Sequence, residues 1–255
     1  MERAKYKTIV LMNIFIISFV LSAFSMQPFE IKSNFYKAYI SGNMVEWKNI
    51  LDQSYTLHLK SGNEKYLEEF ITGTYGYVPF LIDEKKYDEA RKYLKQAQKV
   101  MTELKEDDAE KYASFMGAFI AFEIGIDMYK AIYLGPKSMT YIYESVTINP
   151  KNPYGWLEKG NAEYHMPRAF GGSYEEAVAN FSKALILFEE TNNTDLNWLY
   201  LNTLTWLALS YEKLNDYNNA KIIYQKILAI EPEFQWVKNE LFPKFLKNTQ
   251  TTSHL

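Results

Sequence analysis

The chain has no cysteine in its 255 residues. That excludes disulfide staples, thiolate metal sites, a cysteine nucleophile and a lipid-modified cysteine at the N-terminus. Only eleven glycines and eight prolines are present, few for a turn-rich all-β chain. Histidine is scarcer still: His58, His165 and His254 stand far apart, and no two have metal-ligand spacing. The net charge is −3, so there is no basic excess to suggest a nucleic-acid surface. Familiar catalytic patterns are missing too. Gly135-Pro136-Lys137-Ser138 ends like a phosphate-binding loop, but the glycine four positions earlier is absent and Pro136 separates Gly from Lys. Asp107-Asp108 and Glu175-Glu176 are adjacent carboxylates at helix ends, and adjacent residues do not face each other on a helix. His165, beside Glu163 and Arg168, is the one candidate acid–base residue, and it has no nucleophile near it in sequence.

Apolar residues make up 47% of the chain, with 21 tyrosines and 16 phenylalanines. A single long core or stacked array fits this composition, and disorder does not. The N-terminus is ordered like an export signal. Arg3, Lys5 and Lys7 precede an almost wholly apolar run from Ile9 to Phe24, and Ala23 and Ser25 supply small residues for cleavage before Met26. That run is 16 residues, shorter than the roughly 20 of a spanning helix. Cleavage near Ser25 is therefore expected, with retention as an anchor the alternative. The exported product would be periplasmic or extracellular. Its membrane contact would then be limited to the signal segment.

Helical periodicity fills the remainder. Leu204, Ala208, Tyr211, Ala220, Tyr224, Ile227 and Pro232 fall at offsets 0, 4, 7, 16, 20, 23 and 28. This is a helix, a turn at Lys213–Tyr217 and a second helix that offers Ala220 at a close crossing and stops at Pro232. Upstream, Asn152–His165 and Tyr174–Glu190 form a similar pair. From Gly160 to Ala177 is 17 residues, against 12 from Ala208 to Ala220, so five extra residues lie between these helices. Further pairs are expected at Ala109–Leu134 with Pro136–Ile148, Glu64–Ile82 with Tyr87–Leu104, and Phe29–Ile40 with Met44–Leu59. The stripe Ala113, Gly117, Ala121, Gly125 suggests a close helix contact. A last helix at Phe234–Leu246, broken or bent at Pro243, should cover the final repeat. Organisation is thus a signal segment (1–25), one helical domain (26–248) and a polar tail (249–255).

These spacings resemble the tetratricopeptide (TPR) repeat, closely over 194–232 and with an insertion over 152–187. The fold this implies is all-α: a TPR-like solenoid of about five antiparallel helix pairs plus a C-terminal capping helix. Gly160-Asn161, Pro167 and Phe170-Gly171-Gly172 resemble the signature of exported TPR proteins of Bacteroidetes-type bacteria. The resemblance implies a non-enzymatic scaffold without cofactor, binding a protein or peptide on a concave face lined by the first helix of each repeat. On that basis Leu157, Asn161 and Tyr164, then Asn202, Trp206 and Leu209, should face inward, with Glu212 near the rim. Asn161 and Asn202 could pair with a peptide backbone and Trp206 could anchor an apolar side chain; the plainer roles are packing for Trp206 and incidental polar surface for the asparagines. Tyr164, His165 and Arg168 complete the candidate partner-binding set at the insertion. In the insertion, Phe170 is expected to tuck under the loop, and Ser173 to cap the next helix with Glu176 as a capping box. A similar Gly-Gly insertion occurs in TPR proteins associated with periplasmic TRAP transporters, which implies the alternative of a transport accessory holding a small apolar ligand. An open polar groove would favour the peptide, and a closed tunnel the small ligand.

Overall fold

Asparagine, aspartate and serine start the helices. The computed structural model describes residues 26–252, without the side chains of 106–107 and 250–252. Among the described residues the α-helices are α1 (Pro28–Ser41), α2 (Met44–Ser61), α3 (Glu64–Asp83), α4 (Tyr87–Asp107), α5 (Ala109–Ile126), α6 (Ala131–Ile148), α7 (Pro153–His165), α8 (Tyr174–Glu190), α9 (Trp198–Lys213), α10 (Tyr217–Ile230) and α11 (Phe242–Thr252). The side chains of Asn43, Asn63, Asp108, Asn152, Ser173, Asn197 and Asp216 each accept a first-turn N–H. Each cap satisfies a donor that the helix itself leaves open. No strand occurs among these residues, so the fold is all-α, with successive helices packed as antiparallel pairs. The expected export signal lies outside the described residues.

The repeat is visible in its turns. Lys85 and Asn215 both adopt left-handed backbone, with φ of 57° and 58°. The amides after them close the same bonds, Lys86 N–H to Leu81 C=O at 2.8 Å and Asp216 N–H to Tyr211 C=O at 2.9 Å. Ala90, Ala177 and Ala220 are all fully buried at the crossings that follow. Close approach also explains Gly117, where a Cβ would lie 2.6 Å from Ile142 Cγ1. Of the small-residue stripe on α5, Ala113 and Gly117 are buried and Ala121 and Gly125 are exposed.

Two boundaries differ from expectation. The chain breaks at Asp127, in extended backbone, and passes through a 3-10 turn at Met128–Lys130; it does not break at Gly135, which lies inside α6 with Pro136. Packing decides this. Turning at Asp127 brings Ser138 Oγ to donate to the Gly117 carbonyl at 2.7 Å and Ser145 Oγ within 2.6 Å of Ser114 Oγ. Pro136 removes one bond near the exposed start of α6, where the cost is least. At the C-terminus the helix is distorted rather than broken. A π-turn at Val237–Leu241 precedes Pro243, which accommodates the missing proline N–H. The helix runs on to Thr252, into the segment read as a tail. Phe234, Val237 and Phe245 are buried against the last repeat, as a capping element requires.

The first helix does more than cap. Phe35 packs on Trp47, whose Nε1 donates to the Gly73 carbonyl at 2.9 Å. Tyr36 OH donates to Glu231 at the end of α10 at 3.2 Å, and the Tyr39 ring lies 5.3 Å from Trp198 in α9. The start of the array is thereby folded against its end.

Candidate functional site

Helices α7 and α9 supply the inner residues expected from the repeat pattern, and their inner faces as far as Asn161 and Asn202 meet the chain's own helices. Asn161 Nδ2 donates to Tyr75 OH at 2.8 Å, and Tyr75 OH donates to Glu158 Oε1 at 2.7 Å. Asn202 Nδ2 donates to Tyr39 OH at 3.0 Å. Between these sits Trp198, with ring centroids 5.0 Å from Trp47 and 6.2 Å from Tyr75. The two asparagines do face inward, but they are bonded to tyrosines of α1 and α3. At this level the interior is neither an open polar groove nor a tunnel; side chains fill it. Burial pushes the Glu158 carboxyl up to about 8, although bonds from Tyr75 and Asn161 act to lower it, so it is mainly neutral at pH 7.

The C-terminal ends of the same helices are different. The Tyr164 ring lies 5.0 Å from Trp206, the His165 ring lies 4.9 Å from Trp206, and the tilted Tyr174 ring lies 5.5 Å from Tyr164. Tyr164 and Trp206 are half-buried and His165 is exposed. Crowding by rings holds the imidazole pKa below its ordinary value, so it stays neutral at physiological pH. Burial, Tyr174 and Glu212 push the Tyr164 hydroxyl up to about 12. Glu212, expected at the rim, accepts a bond from Tyr224 OH. The result is a partly exposed aromatic notch, with Glu212 beside Tyr164, one turn beyond the filled interior.

Comparison with known proteins bears on the architecture. The tetratricopeptide repeat family matches residues 201–234, which are most of α9, the turn, α10 and the start of the cap. The C-terminal pair is similar to a tetratricopeptide repeat. The HusA haemophore from Porphyromonas gingivalis has a similar structure, with a TM-score of 0.56 over 74% of this chain and 96% of that one at 14% identity. At that identity the likeness is one of fold. No curated protein matches the sequence.

Measured against that tetratricopeptide repeat, α7–α8 differs at the insertion, and here one expectation fails. Phe170 is 78% exposed, on a short 3-10 turn at Arg168–Phe170, and is not tucked under the loop. The backbone leaves no room for it. A Cβ on Gly172 would fall 1.9 Å from the Met166 carbonyl oxygen, and Ser173 N–H donates to the Glu163 carbonyl at 3.1 Å. Gly171 has φ of 105°, a region open to glycine. Ser173 caps α8 through Glu176 N–H at 3.2 Å, but its own amide is taken by Glu163, so the return half of the box is replaced. Arg168 reaches Glu175 at 3.7 Å with both side chains in water, a contact that restrains it little.

Of the predicted site residues, Tyr164, His165 and Trp206 come together. Arg168 stands beside them on the loop, while Asn161 and Asn202 belong to the filled interior. Sequence reading missed Glu158, Tyr75 and Tyr39, whose role comes from long-range packing. Gly135-Pro136-Lys137-Ser138 is helical and no loop. His58 is buried with Glu103 3.3 Å from its Nε2. Among the described residues, no three His, Asp or Glu are grouped to hold a metal ion.

Proposed function

We propose that this chain is an exported, non-enzymatic scaffold that takes a protein or peptide partner at the open end of α7 and α9. The observation carrying the reading is the partly accessible, edge-to-face cluster of Tyr164, His165 and Trp206. Rigid rings bury apolar area with little loss of side-chain freedom, which is why such residues dominate interfaces. A partner's apolar side chain would seat against Trp206, with the exposed Arg168 guanidinium meeting a carboxylate or carbonyl beside it. Asn161 and Asn202 already donate to tyrosines, so the partner would be held by side-chain anchoring more than by a row of amide bonds to its backbone.

Affinity capture from the native cell envelope tests this. Trp206→Ala should weaken retention of the captured partner about thirty-fold, the scale of an interface anchor. Arg168→Ala should weaken it less and leave melting unchanged. Equal retention by wild type and Trp206→Ala would remove the reading. A second reading uses the same notch for a small flat apolar ligand. It is favoured by two rings, Tyr164 and Trp206, meeting a neutral imidazole, and the structurally similar HusA is itself a haemophore. Titration with haem, followed by absorbance in wild type and Trp206→Ala, separates the two.

A further inference from the structure

At the corner between α5 and α6, large apolar side chains stand in water. Met128 is 78% exposed, Tyr129 93%, Ile132 88% and Tyr133 62%. Their spacing places them on one face of the turn that opens α6. The opposite face carries Leu134, Ser138, Ile142 and Ser145, all buried. The outward set therefore contributes nothing to the core. A fully exposed tyrosine or larger ring carries about 150–250 Å², so the tyrosines alone present roughly 300 Å² of surface. With Met128 and Ile132 the patch reaches the scale of the largest apolar patch on a typical monomer, which is often functional.

Charge indicates what covers it. Between Asp127 and Glu144 the sequence has no carboxylate and two lysines, Lys130 and Lys137, in a chain whose net charge is −3. Among the described residues neither lysine makes an ion pair. Tyr129 and Tyr133 accompany them. Protein interfaces are depleted in lysine at their centres. Tyrosine with aliphatic side chains and flanking lysines is instead the composition of a segment lying in a bilayer surface. There the phenol sits at headgroup level, the apolar tips enter the acyl boundary and lysine stems reach for phosphate. No described helix is long and apolar enough to cross a membrane, so the fit is to lying on one.

We propose that the α5–α6 corner docks on an anionic bilayer surface, with Tyr129, Ile132 and Tyr133 entering the headgroup region and Lys130 and Lys137 meeting lipid phosphates. This adds a membrane contact to the one expected of the N-terminal segment, and it stands independently of the aromatic notch.

The absence of cysteine makes a local test direct. Tyr129→Cys in the full chain takes an environment-sensitive fluorophore at a single thiol, and Ile222→Cys, exposed on α10, is the control. A local signal is needed because the apolar run 9–24 could bind lipid by itself. With phosphatidylglycerol vesicles, emission at position 129 should shift to the blue and be quenched by brominated acyl chains, while position 222 stays unchanged. Adding Lys130→Gln and Lys137→Gln should raise the lipid concentration for half the shift about thirty-fold. The proposal is overturned if position 129 stays in water, or if phosphatidylcholine vesicles give the same shift. A lipid-free blue shift that grows with protein concentration also overturns it, and would assign the corner to a second copy of the chain.

Discussion

Toward the N-terminal ends of α7 and α9, Glu158, Asn161, Trp198 and Asn202 are roofed by Tyr39, Trp47 and Tyr75 from the first three helices. One turn further along each helix, Tyr164, His165 and Trp206 meet edge to face, with Tyr174 against Tyr164. Both sets lie on the inner face of the same two helices, and both are aromatic. What separates them is the first helix, which reaches as far as Tyr39 and covers one end. In a helical array, then, an inner-face position is a binding position only where the ends of the array leave it uncovered. Composition alone does not distinguish the two.

The tryptophans give the strongest way to break that contrast. Trp198 is buried among three other rings, and Trp206 is half-buried at an edge. Trp198→Ala should lower unfolding free energy by about 3–5 kcal/mol, the usual loss for a large buried ring. Trp206→Ala should cost about 1 kcal/mol, in line with its partial burial. Urea denaturation of both variants measures the difference. Equal losses would mean the open end is as much core as the covered one.

Two glycines sharpen the account of the loop beside the notch. Gly172→Val drives a side chain into the Met166 carbonyl, for which the Cβ distance would be 1.9 Å. A loss of about 3 kcal/mol is expected, since a backbone atom cannot step aside as a side chain can. Gly135→Ala is the counterpart. It lies inside α6, and a Cβ there meets nothing within 4 Å, so the variant should gain about 0.5–1 kcal/mol from helix propensity. Thermal melting of the pair reads both signs. A Gly172→Val protein that melts like wild type would show a loop able to open.

Much of the fold was legible because it is local. The offsets from Leu204 to Pro232 report helix faces and a crossing within one repeat, and α9 and α10 follow them. The break at Asp127 was not legible. Gly135-Pro136 is the stronger turn signal in sequence, and it lost to the fit of Ser138 and Ser145 on α5. Phe170 was misplaced for a related reason: hydrophobicity favours burial, but the space under the loop is taken by backbone at Met166 and Gly172. At the site, Tyr164, His165 and Trp206 could be found from register alone. The partners of Asn161 and Asn202 could not. Tyr75 and Tyr39 lie 86 and 163 residues away along the chain, and nothing local announces such contacts.

The last expected effect concerns charge at the covered end. Glu158 is fully enclosed, and burial raises its carboxyl to about 8, above the roughly 4.3 of an unfolded chain. The folded state therefore holds a proton that the unfolded state has released. Stability from this group is complete below the unfolded value and is lost as pH rises toward about 8. Full expression of the shift would be about 5 kcal/mol, and water entry by local opening reduces it, so roughly 2 kcal/mol between pH 5 and pH 8 is expected. Glu158→Gln keeps an oxygen for Tyr75 and Asn161 and removes the titration. Its unfolding free energy should vary less across that range, with the variant overtaking wild type near pH 8. Glu163 at the open end, whose carboxyl burial also raises, is the comparison. It is partly accessible, and Glu163→Gln should change the slope less. Denaturant curves at several pH values decide the matter: equal slopes for wild type and Glu158→Gln would mean that water already reaches the covered end and that the roof of tyrosines is not closed.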